Sequence, residues 1–185
     1  FQQIQDLEKA IADLNGLIKD LDQKVKSEFT NYLKLVNQEL TGYFYQMFGE
    51  GTAKLVVAAK ETIEENQEQE AEEFIDISIN LPRKGIKSLD ALSGGEKSLV
   101  SLAVLFALVT VTPPPFLVLD EVDAALDEAN SRRFAQLVKN FSKKTQFILV
   151  THNRSVMEAA DVLYGVSMGA DGISKLISLK LEQEQ

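Results

Sequence analysis

The sequence predicts an α/β fold fed by one long helix. Apolar residues recur at helical spacing through the first 48 residues. Two apolar runs of strand length, 116–119 and 146–150, each end in polar residues, and an amphipathic helical stretch lies between them. That alternation is the pattern of parallel strands joined by crossover helices. With 45% apolar residues in 185, the chain has enough material for a core.

Residues 1–48 divide in two. Ile4, Leu7, Ile11, Leu14, Ile18, Leu21 and Val25 are spaced alternately by 3 and 4, a heptad seam. Glu28 interrupts it. Phe29, Tyr32, Leu33, Val36, Leu40, Phe44 and Phe48 then form a broader face suited to a globular core. The expected division is a coiled-coil base over 1–28, a lobe over 29–181 and a tail over 182–185. Gly16 weakens the first part by about 1 kcal/mol, so that part needs a partner helix, which this chain does not supply. A long core helix is the alternative. The polar surroundings of the seam argue against it, because only a narrow partner would cover it.

Gly49 and Gly51 stop the helix, and 53–59 reads as a strand. Residues 61–73 carry seven Glu and no Lys or Arg, which predicts a solvated, flexible acidic loop. The alternation of Phe74, Ile75, Ile77, Ile79 and Leu81 predicts a second strand, closed by Pro82. Arg83, Lys84 and Lys87 follow as a small basic cluster, read as a solvated turn or a phosphate contact.

Ser93 with Glu96 three residues on is a capping box, and a helix is expected to run to Leu108. Pro113, Pro114 and Pro115 force an extended path into the strand at 116–119, which delivers Asp120 and Glu121 to a sheet edge. A helix is predicted over 128–141. The strand 146–150 ends at Thr151 and His152, and a short helix follows over 155–160. Strands at 162–166 and 173–179 are joined by a turn containing Gly169 and Gly172.

The net charge of −9 argues against this chain as a main DNA contact, since free-standing DNA binders are usually basic. With no cysteine there is no disulfide and no thiolate metal site, which fits a cytoplasmic protein. No membrane span is expected, because the apolar stretch 99–111 is interrupted by Ser101 and Thr110 and runs into prolines. The opening FQQIQDLEKA is polar, without a signal peptide, and its lack of Met suggests a fragment.

Asp120 and Glu121 are one candidate centre. One carboxylate suits Mg²⁺, and the other suits orienting or deprotonating water. Ser93, Gly94 and Gly95 open a helix, where backbone N–H groups and the helix dipole favour an anion such as a γ-phosphate. His152, the single histidine, emerges after a strand at the same edge as the acids, where it would donate to a phosphate oxygen or position water. No G-x-x-x-x-G-K-[ST] phosphate loop occurs in the sequence.

LSGGEKS, FLVLDEVDAALD and QFILVTHNR together resemble the signature motif, the Walker B motif with D-loop, and the switch-histidine loop of ABC-type ATPases. LDEVDAALD, the preceding PPPF and the later DVLYGVSM resemble the SMC (structural maintenance of chromosomes) proteins, in the prokaryotic form THNR. The resemblance covers about 29–181, departs from the family over 61–91, and implies the C-terminal lobe of a head assembled from two distant chain ends. It implies that Asp120 serves Mg²⁺, Glu121 is the catalytic base and His152 senses the γ-phosphate. Ser93, Gly94, Gly95, Glu96 and Lys97 would meet ATP held by a second head, and Asp127 would lie at the head–head contact.

The implied partners are the N-terminal half of the same head, a second head, a kleisin subunit, and DNA through the full complex. The implied role is ATP-driven chromosome organisation in the cytoplasm, on the nucleoid. Two alternatives are a half-head of a coiled-coil double-strand-break repair ATPase, disfavoured by Val122-Asp123 where that family has Pro after the Glu, and a non-catalytic kleisin scaffold. On every reading without the phosphate loop, this chain alone is expected not to hydrolyse ATP.

Overall fold

The computed structural model describes residues 2–60, 72–82, 85 and 87–181. Most of the acidic segment, Arg83, Lys84 and the tail 182–185 lie outside the described residues.

Helix α1 spans Gln2–Phe48 without a break, about 70 Å at 1.5 Å per residue. Its heptad seam is bare: Ile4, Leu7, Ile11, Leu14, Leu21 and Val25 are all more than half exposed. Burial begins later than the sequence division at residue 28. Phe29 is exposed, Leu33 is partly buried, and Val36, Leu40, Phe44 and Met47 are fully buried. The helix simply runs on past Glu28, and the lobe meets it one to two turns further along. The Arg133 guanidinium donates to the Met47 carbonyl at 2.6 Å, satisfying one of the orphan acceptors at the helix end.

Strands β1 (Thr52–Lys60) and β2 (Glu72–Asn80) form an antiparallel pair, with Ala53 opposite Ile79 and Leu55 opposite Ile77 on the buried face. Asn37 of α1 ties itself to β1 twice. Its side chain donates to the Leu55 carbonyl at 2.9 Å and accepts the Leu55 N–H at 2.7 Å, standing in for a strand neighbour. Gly51 holds a positive φ of 78°, and a Cβ there would collide with the Asn80 carbonyl.

Helix α2 (Gly94–Val111) follows a short 3₁₀ turn at Leu89–Ala91. By length and composition it is apolar enough to cross a membrane, which departs from the sequence reading. Its apolar side chains fill the core instead: Leu99, Val100, Leu102, Ala103, Phe106, Ala107 and Val109 are buried. Phe106 stacks on Phe141 with centroids 5.0 Å apart, and Tyr43 and Phe134 tilt against it at 6.1 Å. This aromatic cluster joins α1 and α2 to α3 (Glu128–Phe141).

Strands β3 (Phe116–Asp120) and β4 (Gln146–Val150) pair in parallel, in register from Phe116 opposite Gln146 to Asp120 opposite Val150. The proline run sets the start of the pair: the Pro115 carbonyl accepts the Gln146 N–H, and the Pro114 carbonyl accepts the Thr145 hydroxyl. The pair packs Leu117, Leu119, Phe147 and Leu149 against the core. Its opposite face is open, with Phe116, Val118, Ile148 and Val150 about half exposed (48–57%). The strands therefore differ from the fully buried type that their continuous apolar runs suggest. Helix α4 (Arg154–Glu158) and the hairpin β5 (Val162–Met168) and β6 (Ser174–Lys180) complete the chain. The hairpin exposes Tyr164, Val166, Met168, Leu176 and Ile177.

Candidate functional site

The two acids reach one place because the backbone breaks the strand alternation between them. Asp120 is the last residue of β3. Glu121 has φ +47°, the single positive value at a non-glycine among the described residues, a conformation that costs of order 1 kcal/mol. Its N–H still donates to the Val150 carbonyl at 2.9 Å, and its own carbonyl accepts the Ala124 N–H at 3.1 Å, so a tight turn begins there. Both carboxylates are exposed, and neither makes a hydrogen bond or ion pair among the described residues. No group of three or more possible metal-binding side chains forms among the described residues. Two carboxylates fit Mg²⁺ nonetheless, because that ion keeps several waters and takes its remaining ligands from nucleotide phosphates.

His152 lies two residues past Val150, on the strand paired with β3, so it leaves the sheet at the same edge as Asp120 and Glu121. Its side chain is exposed and borders an open groove of about 830 Å³ between α3 and α4, with Arg132, Asn153 and Arg154.

Ser93 caps α2 through the expected box. Its hydroxyl donates to the Glu96 carboxylate at 2.8 Å, its N–H does the same at 2.9 Å, and the Glu96 N–H points back to the Ser93 oxygen at 3.4 Å. An anion arriving here must therefore draw the Ser93 hydroxyl away from a carboxylate. Gly94 has open space around it. Gly95 does not: a Cβ there would stand 3.0 Å from the Ala125 carbonyl. Lys97 is exposed. Among the described residues no hydrogen bond joins Ser93 to Asp120, Glu121 or His152, but Gly95 brings the start of α2 against the turn that follows Glu121. Asp127 caps α3, its carboxylate accepting the Asn130 N–H at 2.8 Å.

A buried polar set beneath this edge is not evident in the sequence pattern. The Thr151 hydroxyl donates to Asp123 at 2.6 Å, and the Asn153 side chain donates to Ser131 at 2.7 Å. Asp123 and Ser131 are 3% and 0% exposed. The available signal was Asp123 itself, a charged residue in a stretch otherwise apolar between Glu121 and Asp127.

Residues 12–175 match the family described as RecF/RecN/SMC N terminal domain. The chain belongs to that family. It is 40% identical over 182 residues to the chromosome partition protein Smc of Bacillus subtilis, spanning 98% of this chain and 15% of that protein. It therefore corresponds to a small part of the length of its curated relatives. An Smc head domain of Pyrococcus furiosus, with an extended coiled coil and bound to the C-terminal domain of ScpA, superposes with TM-score 0.74. That structure is 35% identical, over 89% of this chain and 39% of that one. A further structure, from work on ATP-driven dimerization and DNA stimulated activation of SMC ATPases, gives TM-score 0.69 at 35% identity. It covers 84% of this chain and 89% of that one. The α/β lobe with a long helix leading into it is thus the architecture of an SMC head.

Proposed function

We propose that this chain is the C-terminal half of an SMC ATPase head, acting in ATP-driven chromosome organisation once joined to an N-terminal half that carries the phosphate loop. The observation that carries this reading is the open face of β3 and β4. A parallel pair is ordinarily covered on both sides. Here Phe116, Val118, Ile148 and Val150 form an apolar surface beside the exposed carboxylates, at the strand ends where α/β folds bind ligands. A complementary half laid on that surface would cover it and bring a phosphate cradle to Asp120 and Glu121.

In the assembled site, Asp120 would hold Mg²⁺, directly or through water. The ion, when bound, would offset charge on the phosphates. Glu121 would take a proton from the water that attacks the γ-phosphorus, and His152 would donate to a γ-phosphate oxygen. Ser93 and the backbone N–H groups at Gly94 and Gly95, with Glu96 and Lys97 beside them, would face ATP on a second head, and Asp127 would lie at that contact. We read the sequence as a coiled-coil base, whose exposed seam would take a partner helix, and a lobe. The Pyrococcus furiosus head bound to ScpA supports a kleisin subunit as a further partner. DNA would be met through the complete complex, in the cytoplasm and on the nucleoid.

The test is reconstitution. The purified 185-residue chain should show no Mg²⁺-dependent ATP turnover, and addition of the N-terminal half should create it. Turnover by the chain alone, or none after the two halves have joined, defeats the reading.

A further inference from the structure

We propose that Asp123 and Thr151 are positioning residues, whose partly buried hydrogen bond fixes the turn carrying Glu121 against the loop carrying His152. The inference rests on the ATPase reading and adds a device beneath its site.

The hydrogen bonds converge from both sides of the edge. Asp123 follows Glu121 by two residues and turns inward to 3% exposure. A carboxylate removed from water needs a donor, and Thr151 supplies it at 2.6 Å. The same Thr151 oxygen accepts the Asn153 N–H at 2.9 Å, so residues 151 and 153 are clasped around His152. Asn153 then fastens the loop to α3 and α4. Its amide donates to Ser131 at 2.7 Å, and its carbonyl oxygen accepts the Ser155 N–H at 3.0 Å. Glu121 and His152 both have exposed side chains, and among the described residues no side-chain hydrogen bond or ion pair orients them. Their placement is inherited from the backbone, and past the last strand bond, from the Glu121 N–H to the Val150 carbonyl, the Asp123–Thr151 bond joins the two sides.

The chemistry sets a graded series. Asparagine at 123 keeps an acceptor but loses the charge that strengthens the bond. Alanine at 123 removes the acceptor. Valine at 151 removes donor and acceptor together, whereas serine at 151 keeps both. A purely structural bond would change the melting temperature and leave turnover per folded molecule alone.

The experiment uses the complete head, with kcat and KM for ATP and with the imidazole signal of His152, read after joining isotope-labelled chain, which has one histidine, to an unlabelled N-terminal half. Asp123→Ala and Thr151→Val should lower kcat by about 10- to 100-fold, as loss of groups supporting a functional residue does. KM for ATP should move less than kcat, since the role proposed for Glu121 is in the transition state. Asp123→Ala, far from His152 in sequence, should also shift or broaden the imidazole signal, and Thr151→Ser should restore both readouts. If Asp123→Ala does not fold, Asp123→Asn makes the same comparison with a smaller expected loss. Unchanged kcat in a folded but less heat-stable variant overturns the proposal, as does an imidazole signal that ignores Asp123. If the unsubstituted head hydrolyses no ATP, the ATPase reading fails, and the imidazole signal alone decides the positioning bond.

Discussion

Gly95 lies against the main-chain carbonyl of Ala125, so closely that a Cβ at 95 would be 3.0 Å from that oxygen, while its neighbour Gly94 faces open space. Two adjacent glycines thus have different reasons to be glycine. Gly95 lets α2 start against the turn after Glu121. No described atom would meet a Cβ at Gly94, and ligand approach is the use proposed for it. Gly94→Ala should leave the fold intact or stabilise it by about 0.4–1 kcal/mol, as Gly→Ala does where the backbone suits alanine. It should nevertheless weaken ATP-dependent association of complete heads. Gly95→Ala should lower the melting temperature, because Ala125 has to move. Normal association by Gly94→Ala heads would show that no nucleotide approaches the backbone at that position.

Substitution of Glu121 tests the proposed separation of ATP binding from chemistry. Glutamine keeps its shape and loses the proton acceptor. In the complete head, Glu121→Gln should bind ATP normally and slow hydrolysis by at least about 10²-fold, the lower range for removal of a general base. ATP-bound dimers should accumulate and be visible by size-exclusion chromatography. Normal turnover would move the base elsewhere, and lost ATP binding would give Glu121 the Mg²⁺ role instead of Asp120.

The open face of β3 and β4 makes a prediction about assembly. Ile148 is 48% exposed, so Ile148→Lys should leave the melting temperature of the isolated chain within a few degrees of the parent. In the assembled head the same position would be covered. Burying an isoleucine is worth about 1.5–3 kcal/mol, and an unpaired lysine would add a further penalty. Affinity for the N-terminal half should therefore fall by at least about tenfold in a pull-down or calorimetric titration. Undiminished affinity would place the other half on a different surface.

Much of this architecture was legible in the residues. The periodicity of α1, the capping box at Ser93 and the helix Glu128–Phe141 all form as local patterns dictate. Local rules were enough there because caps and amphipathic faces act within a few residues. Four features were not legible. The point where α1 meets the lobe depends on what packs beside Leu33 and Val36, and the heptad pattern carries no information about that. The open face of β3 and β4 reads in sequence like a buried strand, because apolar content does not reveal whether the covering layer belongs to the same chain. The bond between Asp123 and Thr151 joins residues 28 apart and has no spacing signature. The positive φ at Glu121 is likewise invisible in a residue type that rarely adopts it.

The final prediction concerns Ser93, whose side chain is already engaged with Glu96 in the same helix turn. Ser93→Arg removes the cap, so the head should lose about 0.5–2 kcal/mol of stability, measurable in a melt. Folded heads carrying it should keep nearly normal ATP affinity, because the signature would face nucleotide on the other head. They should fail in ATP-dependent dimerisation and in hydrolysis together, since the arginine obstructs the glycine turn. Asp120→Ala should instead impair Mg²⁺ handling within its own head. Mixing the two variants separates a site in trans from a site in cis. In trans, the nucleotide of the Asp120→Ala head meets the Ser93→Arg signature, so both defects fall on one composite site. The other composite site is intact, and mixed heads should recover part of the dimerisation or activity that each variant lacks alone. Equal loss of ATP binding in the isolated Ser93→Arg head, with its fold verified, would put Ser93 at its own nucleotide and overturn the sandwiched arrangement.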